Sequence, residues 1–222
     1  MTNSWNCRSA SASRLADWFR DFDFALPNGS VTAHFVDCHD TMWWRLTGDH
    51  WRREQVGLPA AKALVPIYSL RGGAYMTVVG GEEGLEAELK RVHALRRHLP
   101  EIRLGTVDYE SVSADDVAIY GVLRHDPKRA TIVAVNTSDQ SVRTTISLSE
   151  GAVPDGSTST RVLDAWTGEW LPNGLTQDGV LRYDLTFEPY QTRVMVLGEP
   201  PNELIDESTG EVSDVGQPAV RS

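Results

Sequence analysis

The spacing of apolar residues changes near Glu101, from helical stripes and isolated apolar runs to strict alternation, and this switch limits the folds open to the chain. Before it, Leu15, Trp18, Phe19 and Phe22 fall at i, i+3, i+4 and i+7 and predict an amphipathic helix capped by Ser13 and stopped at Pro27-Asn28-Gly29. Val31 to Asp37 is β-branched and aromatic, which predicts a strand that delivers Cys38-His39-Asp40 to its C-terminal end. Leu58 to Leu70 predicts a helix with Pro59 in its first turn and a kink at Pro66. Ala74 to Val79 predicts a short strand closed by Gly80-Gly81-Glu82-Glu83-Gly84, and Leu85, Leu89, Val92 and Leu99 mark a helix ended by Pro100.

Helix, strand, helix, strand, helix implies parallel strands joined by crossover helices, yet two strands and three helices do not close an α/β domain. After Glu101 the pattern predicts short strands at Val117 to Leu123, Thr131 to Val135, Val142 to Leu148, Arg161 to Ala165, Val180 to Leu185 and Thr192 to Leu197, separated by Asp-Pro, Asn-Thr-Ser and Pro-Asp-Gly turns. With no helical periodicity between them, these strands read as an antiparallel β-sandwich. The expected organisation is an α/β portion over residues 1–100, an all-β portion over 101–198 and a disordered acidic tail over 199–222, where little can be buried.

The 31 acidic residues outweigh the 21 basic ones, and a net charge of −10 argues against a nucleic-acid or anionic-membrane surface. A neutral ligand suits this charge better. No stretch approaches the roughly 20 apolar residues of a membrane span, and the N-terminus lacks a signal-peptide core, so the expected location is cytoplasmic. Cys7 and Cys38 are too few for a disulfide framework and are expected to be thiols. No metal or other cofactor is expected: His34 and His39 are an odd number of residues apart and point to opposite faces of a strand. His93 and His98 diverge by about 140° on a helix.

The informative segment is His34-Phe35-Val36-Asp37-Cys38-His39-Asp40-Thr41, because polar residues at the C-terminal end of a barrel strand face the pocket. The second apolar strand repeats the arrangement, ending in glycines and carboxylates. Together they resemble the α-amylase superfamily, glycoside hydrolase family 13, whose seventh barrel strand ends in Phe-Val-x-Asn-His-Asp and whose eighth ends in Gly-x-Glu-x-Gly. The helix from Leu85 to Leu99 and the sandwich from Glu101 to Leu197 are similar to the family's following helix and C-terminal domain. The fold class implied is α/β plus all-β, the last part of a TIM-type β/α barrel followed by an antiparallel β-sandwich.

The resemblance implies that Asp40 is the carboxylate that supports the oxocarbenium-like transition state, with His39 binding hydroxyls of the same sugar ring of an α-glucan or oligosaccharide. Cys38 departs from the family's asparagine and hydrogen-bonds more weakly than an amide. Trp43 and Trp44, with Arg45 beside them, follow Asp40 and stack on sugar or fill a core. Trp166 and Trp170 flank Thr167-Gly168 and read as a hairpin, with surface glycan binding the lesser alternative. The family's nucleophile and acid/base come from its fourth and fifth strands and have no counterpart here. Asp37 points away from Asp40, and Glu82 and Glu83 suit structural roles. One reading is therefore a fragment of an α-glucan hydrolase or transglycosidase, inactive alone and completed by a separate chain supplying the missing strands. The other is a non-catalytic carbohydrate-binding or interaction remnant, in which His39-Asp40 is only a hydrogen-bonded strand end.

Overall fold

The computed structural model describes residues 12–27, 29–38, 50–152, 161–172 and 174–204. The N-terminal part comprises α1 (Ala12–Phe24), β1 (Ala33–His34), α2 (Arg52–Val56), α3 (Leu58–Leu70), β2 (Ala74–Tyr75), α4 (Glu86–His98) and α5 (Pro100–Leu104). β1 and β2 pair in parallel, with Ala33 opposite Ala74 and His34 opposite Tyr75. Both strands are shorter than their sequences predict. The ladder consists of the Ala74 amide on the Thr32 carbonyl and the Met76 amide on the His34 carbonyl, and a two-stranded sheet gives the flanking residues no further partner to hold them extended.

Helix α3 runs through Pro66 to Leu70 and buries most of its length. The stripe on α1 is only half buried: Leu15 and Phe19 are 3% and 1% exposed, whereas Trp18 and Phe22 are 51% and 41% exposed. The stripe is wider than its contact, so Trp18 and Phe22 stack on each other at 5.4 Å instead of entering the core.

The remainder is antiparallel. It contains β3 (Thr106–Asp108), β4 (Val112–Ala114), β5 (Ile119–His125), β6 (Ala130–Asn136), β7 (Val142–Ser149), β8 (Val162–Asp164), β9 (Glu169–Leu171), β10 (Leu175–Gln177), β11 (Val180–Phe187) and β12 (Thr192–Leu197). One sheet has the order β3-β5-β6-β12-β8-β9 and the other β10-β11-β7-β4. The two sheets share a core in which Leu123, Ile132 and Met195 meet Ile146, Leu181 and Phe187.

Alternate residues of the larger sheet enter a different core. Tyr120, Val122, Val133, Val135, Val194 and Val196 pack with Phe19, Ile67, Leu70 and Leu95 of the helices. The molecule is thus layered as helices, six-stranded sheet and four-stranded sheet. Every residue of β6 is buried, so the alternation expected over Thr131 to Val135 is absent from a strand covered on both faces, while β7, covered on one face only, alternates.

Arginines stitch the helix layer to the sheet. Arg124 on β5, 4% exposed, donates to the carbonyls of Arg71, Glu101 and Gly105. Arg96 donates to the carbonyls of Ser69 and Gly73. Of these carbonyls, Ser69 and Arg71 stand at the C-terminal end of α3 and Gly105 at that of α5, where the helix itself leaves carbonyls without partners. The buried Glu101 carboxylate accepts the Thr131 hydroxyl at 2.6 Å. Burial lowers the Arg124 pKa to about 10, which leaves it charged at neutral pH.

Candidate functional site

Because β1 and β2 are parallel neighbours, their C-terminal ends open on the same side of the molecule. The chain leaves β1 through Phe35, Val36, Asp37 and Cys38, and leaves β2 through Met76 toward the turn at Gly80 and Gly81. His34, Val36 and Tyr75 join the core beneath the helices. Ala33, Ala74 and Met76 lie on the exposed side, Met76 being 47% exposed.

A short strap ties the two strand ends together. Asp37, 4% exposed, accepts the backbone amide of Arg52 at 2.9 Å, so its carboxylate faces the first residue of α2. Trp51 and Glu54 close that helix start reciprocally: the Trp51 amide donates to Glu54 Oε2 at 3.0 Å and the Glu54 amide to the Trp51 carbonyl at 2.9 Å. Arg53 Nη1 donates to the Gly80 carbonyl at 3.0 Å, Nη2 to Glu83 Oε2 at 2.8 Å, and the guanidinium lies 4.6 Å over the Trp51 ring. Gly80 has φ +87° and approaches Trp51 so closely that a Cβ would stand 3.0 Å from the indole. Asp37 and Glu83 therefore have defined partners at the strand ends.

His39, Asp40, Trp43, Trp44 and Arg45, the residues singled out in the sequence, lie outside the described residues, as does the tail from 205 to 222. The described chain stops at Cys38 and resumes at His50, and the bond between Asp37 and Arg52 brings those two ends together.

Sequence reasoning missed a buried polar cluster beneath β1. Arg71, 2% exposed and stacked 4.0 Å over Phe19, donates to Asp23 Oδ2 at 2.5 Å, to the Tyr109 hydroxyl at 2.6 Å and to His34 Nε2 at 2.6 Å. The Thr32 hydroxyl reaches the same His34 nitrogen at 2.7 Å, so Nε2 is an acceptor and the ring is neutral. Burial, reinforced by the positive charge of Arg71, lowers the His34 pKa to about 4. His34 is thus a structural acceptor rather than a ligand. Asp23, His34, Arg71 and Tyr109 are far apart in sequence, and no spacing pattern links them.

Trp166 and Trp170 form a hairpin turning at Gly168, with φ +84°, and both are half-buried against the helix-side core. Arg91 lies 5.1 Å over Trp166 and Arg161 5.1 Å over Trp170. Among the described residues no group of three or more His, Cys, Asp or Glu could hold a metal ion, and no helix is long and apolar enough to cross a membrane.

No protein-family model matches the sequence, and no curated protein is similar to it. Solved structures are similar in fold. The maltogenic α-amylase AmyB from Thermotoga neapolitana matches with TM-score 0.64 at 10% identity, covering 85% of this chain and 46% of its own. The α-amylase of Geobacillus thermoleovorans, solved with acarbose, matches with TM-score 0.60 at 15% identity, covering 87% of this chain and 46% of its own. A cyclomaltodextrin glucanotransferase, CldA, matches with TM-score 0.60 at 17% identity, covering 85% of this chain and 41% of its own. The chain therefore spans less than half the length of these structures, as a C-terminal part would. The resemblance drawn from the strand-end motifs is met at the level of the fold.

Proposed function

We propose that this chain is the C-terminal part of an α-amylase-type glycoside hydrolase or transglycosidase acting on α-glucosidic linkages, with Asp40 as its transition-state-stabilising carboxylate. The observation that carries the reading is the pair of parallel strands, one leading into Cys38-His39-Asp40 and the other into the Gly80-to-Gly84 turn, within a fold shared with α-amylases. In that reading β1 and β2 are the last strands of a barrel and the two antiparallel sheets are the C-terminal sandwich. Positive charge builds on the anomeric carbon as the glycosidic bond breaks, and a fixed anion beside it lowers the barrier. His39 holds ring hydroxyls, and Trp43, Trp44 and Arg45 line the same sugar.

Hydrolysis with retention also needs a nucleophile and an acid/base about 5 Å apart. Of the described carboxylates at the strand ends, Asp37 accepts the Arg52 amide and Glu83 meets Arg53. This supports a catalytic set completed by residues outside this chain, on a separate polypeptide or a longer one. Alone, the chain is expected to release no reducing sugar from maltooligosaccharides while binding maltotriose weakly, as detected by saturation-transfer NMR, and to lose that binding in Asp40→Ala. Turnover that disappears in Asp40→Ala would overturn the incomplete-set reading. Binding that Asp40→Ala leaves unchanged would favour a non-catalytic carbohydrate-binding remnant.

A further inference from the structure

We infer that the parallel pair of β1 and β2 is an acid-labile joint: a proton on His34 Nε2 expels the ring from its cluster and opens the ladder, while the antiparallel sheets keep their fold. The joint does not depend on what the strand ends bind.

The ladder and the ring share residues. The two carbonyls that accept the Ala74 and Met76 amides belong to Thr32 and His34. The side chains of those same two residues meet at Nε2, where the Thr32 hydroxyl lies 2.7 Å from the ring nitrogen. Arg71 Nη1 donates to that nitrogen at 2.6 Å. A protonated Nε2 is itself a donor, and a guanidinium has no lone pair to offer it. One proton therefore turns this contact from a hydrogen bond into a meeting of two donors and two positive charges.

The surroundings leave the ring one way out. Asp23 on α1 is the carboxylate of the cluster, and its Oδ2 already accepts Arg71 Nη2 and the Tyr109 hydroxyl. These two bonds, with a further one from Arg71 to Tyr109, hold the guanidinium where it is. Arg96 on α4 is fixed on the Ser69 and Gly73 carbonyls. Burial opposes the proton most and Arg71 next; Asp23 favours it and Arg96 again opposes it. Gly73, with φ +70°, blocks retreat toward β2, since even a Cβ there would stand 3.2 Å from Nε2 and 2.5 Å from the Thr32 carbonyl. The charged ring thus turns outward to water, and the Thr32 and His34 carbonyls move with it.

The opening is local. The pair is two residues long and no third strand supports it among the described residues, so its bonds are lost together. Beyond it Val36, 6% exposed in the helix-side core, anchors the chain and limits the movement. Strand β6 takes no part, being paired on both sides and buried throughout.

The test is amide hydrogen exchange followed by NMR on the full chain, with protection taken relative to the unstructured exchange rate at each pH. Ala74 and Met76 should be less protected than Val133 at the middle of β6. Their protection should fall about tenfold per pH unit between about 6.5 and 4 and level off below. In His34→Gln, whose side-chain oxygen accepts without titrating, the same two amides should hold their protection across that range. The parent also gives a readout that needs no variant: the His34 ring resonances and the Ala74 and Met76 amide shifts should titrate with one midpoint. Protection at Ala74 and Met76 that ignores pH, or that equals that of Val133 throughout, overturns the joint. So does a His34→Gln chain whose protection falls as steeply as the parent's, or a ring that titrates while the two amides stay unmoved.

Discussion

The six-stranded sheet and the two-stranded sheet show opposite solutions to the same problem. In the larger sheet β6 is buried along its whole length, between helices on one face and the four-stranded sheet on the other. The parallel pair β1 and β2 is two residues long on each side and covered on one face, with Met76 47% exposed on the other. Close by, Val31 and Val79 are 77% and 92% exposed. The comparison teaches that the antiparallel sheets and the helices laid on them hold the fold, and that the strand ends proposed to bind sugar are carried by it. A site borne on a firmly packed base can be altered with little loss of stability, and the converse should also hold.

The largest effect expected from this contrast is at the helix-to-sheet interface. Phe19→Ala, at a position 1% exposed, should cost roughly 3–5 kcal/mol, read from denaturant unfolding. A loss below about 1 kcal/mol would mean that the helices rest only loosely on the sheet.

The polar cluster beneath β1 should make stability depend on acid. His34 has its pKa lowered from 6.5 to about 4, so the unfolded chain takes up the proton first and stability falls as pH drops from about 6.5 toward 4. Below that window the contribution is already lost. The difference amounts to roughly 3 kcal/mol, and it should be absent from His34→Gln when the two unfolding profiles are subtracted. Arg71, Asp23 and Arg96 are the charges that act on the ring, Asp23 opposing the two arginines.

Smaller effects belong to the exposed side. Trp18→Ser and Met76→Ala should each change stability by under about 1 kcal/mol, although Trp18 is a larger side chain than Phe19 one position later. Trp18→Ser combined with Phe22→Ser should instead reduce any self-association in sedimentation, since the stacked pair is an exposed apolar surface among the described residues. Unchanged sedimentation would place any association elsewhere.

Much of this division was legible in the sequence. Thr192–Leu197 forms as predicted, and the predicted alternation places β7 and β11 within two residues of their observed ends. Alternation is the sequence reading of Thr131 to Val135, yet every residue of β6 is buried, because helices cover one face and the four-stranded sheet the other, and periodicity does not show a second cover. The stripe on α1 predicted a buried face without revealing that Trp18 and Phe22 would stay outside. Arg71, Arg96 and Arg124 act on partners distant in the chain, side chains for Arg71 and carbonyls for the other two, and only the folded backbone brings them together. At the strand ends the motif could be read while the strap could not, because nothing in the spacing of Asp37 and Arg53 shows that α2 crosses both ends.

The most direct test of the account is a maltotriose titration followed by saturation-transfer NMR on the parent chain and on Asp40→Ala, with circular dichroism confirming equal folding. Saturable transfer in the parent and its loss in Asp40→Ala is the predicted result. Equal transfer in both chains, or none in the parent, would contradict the claim that this strand end carries a sugar site.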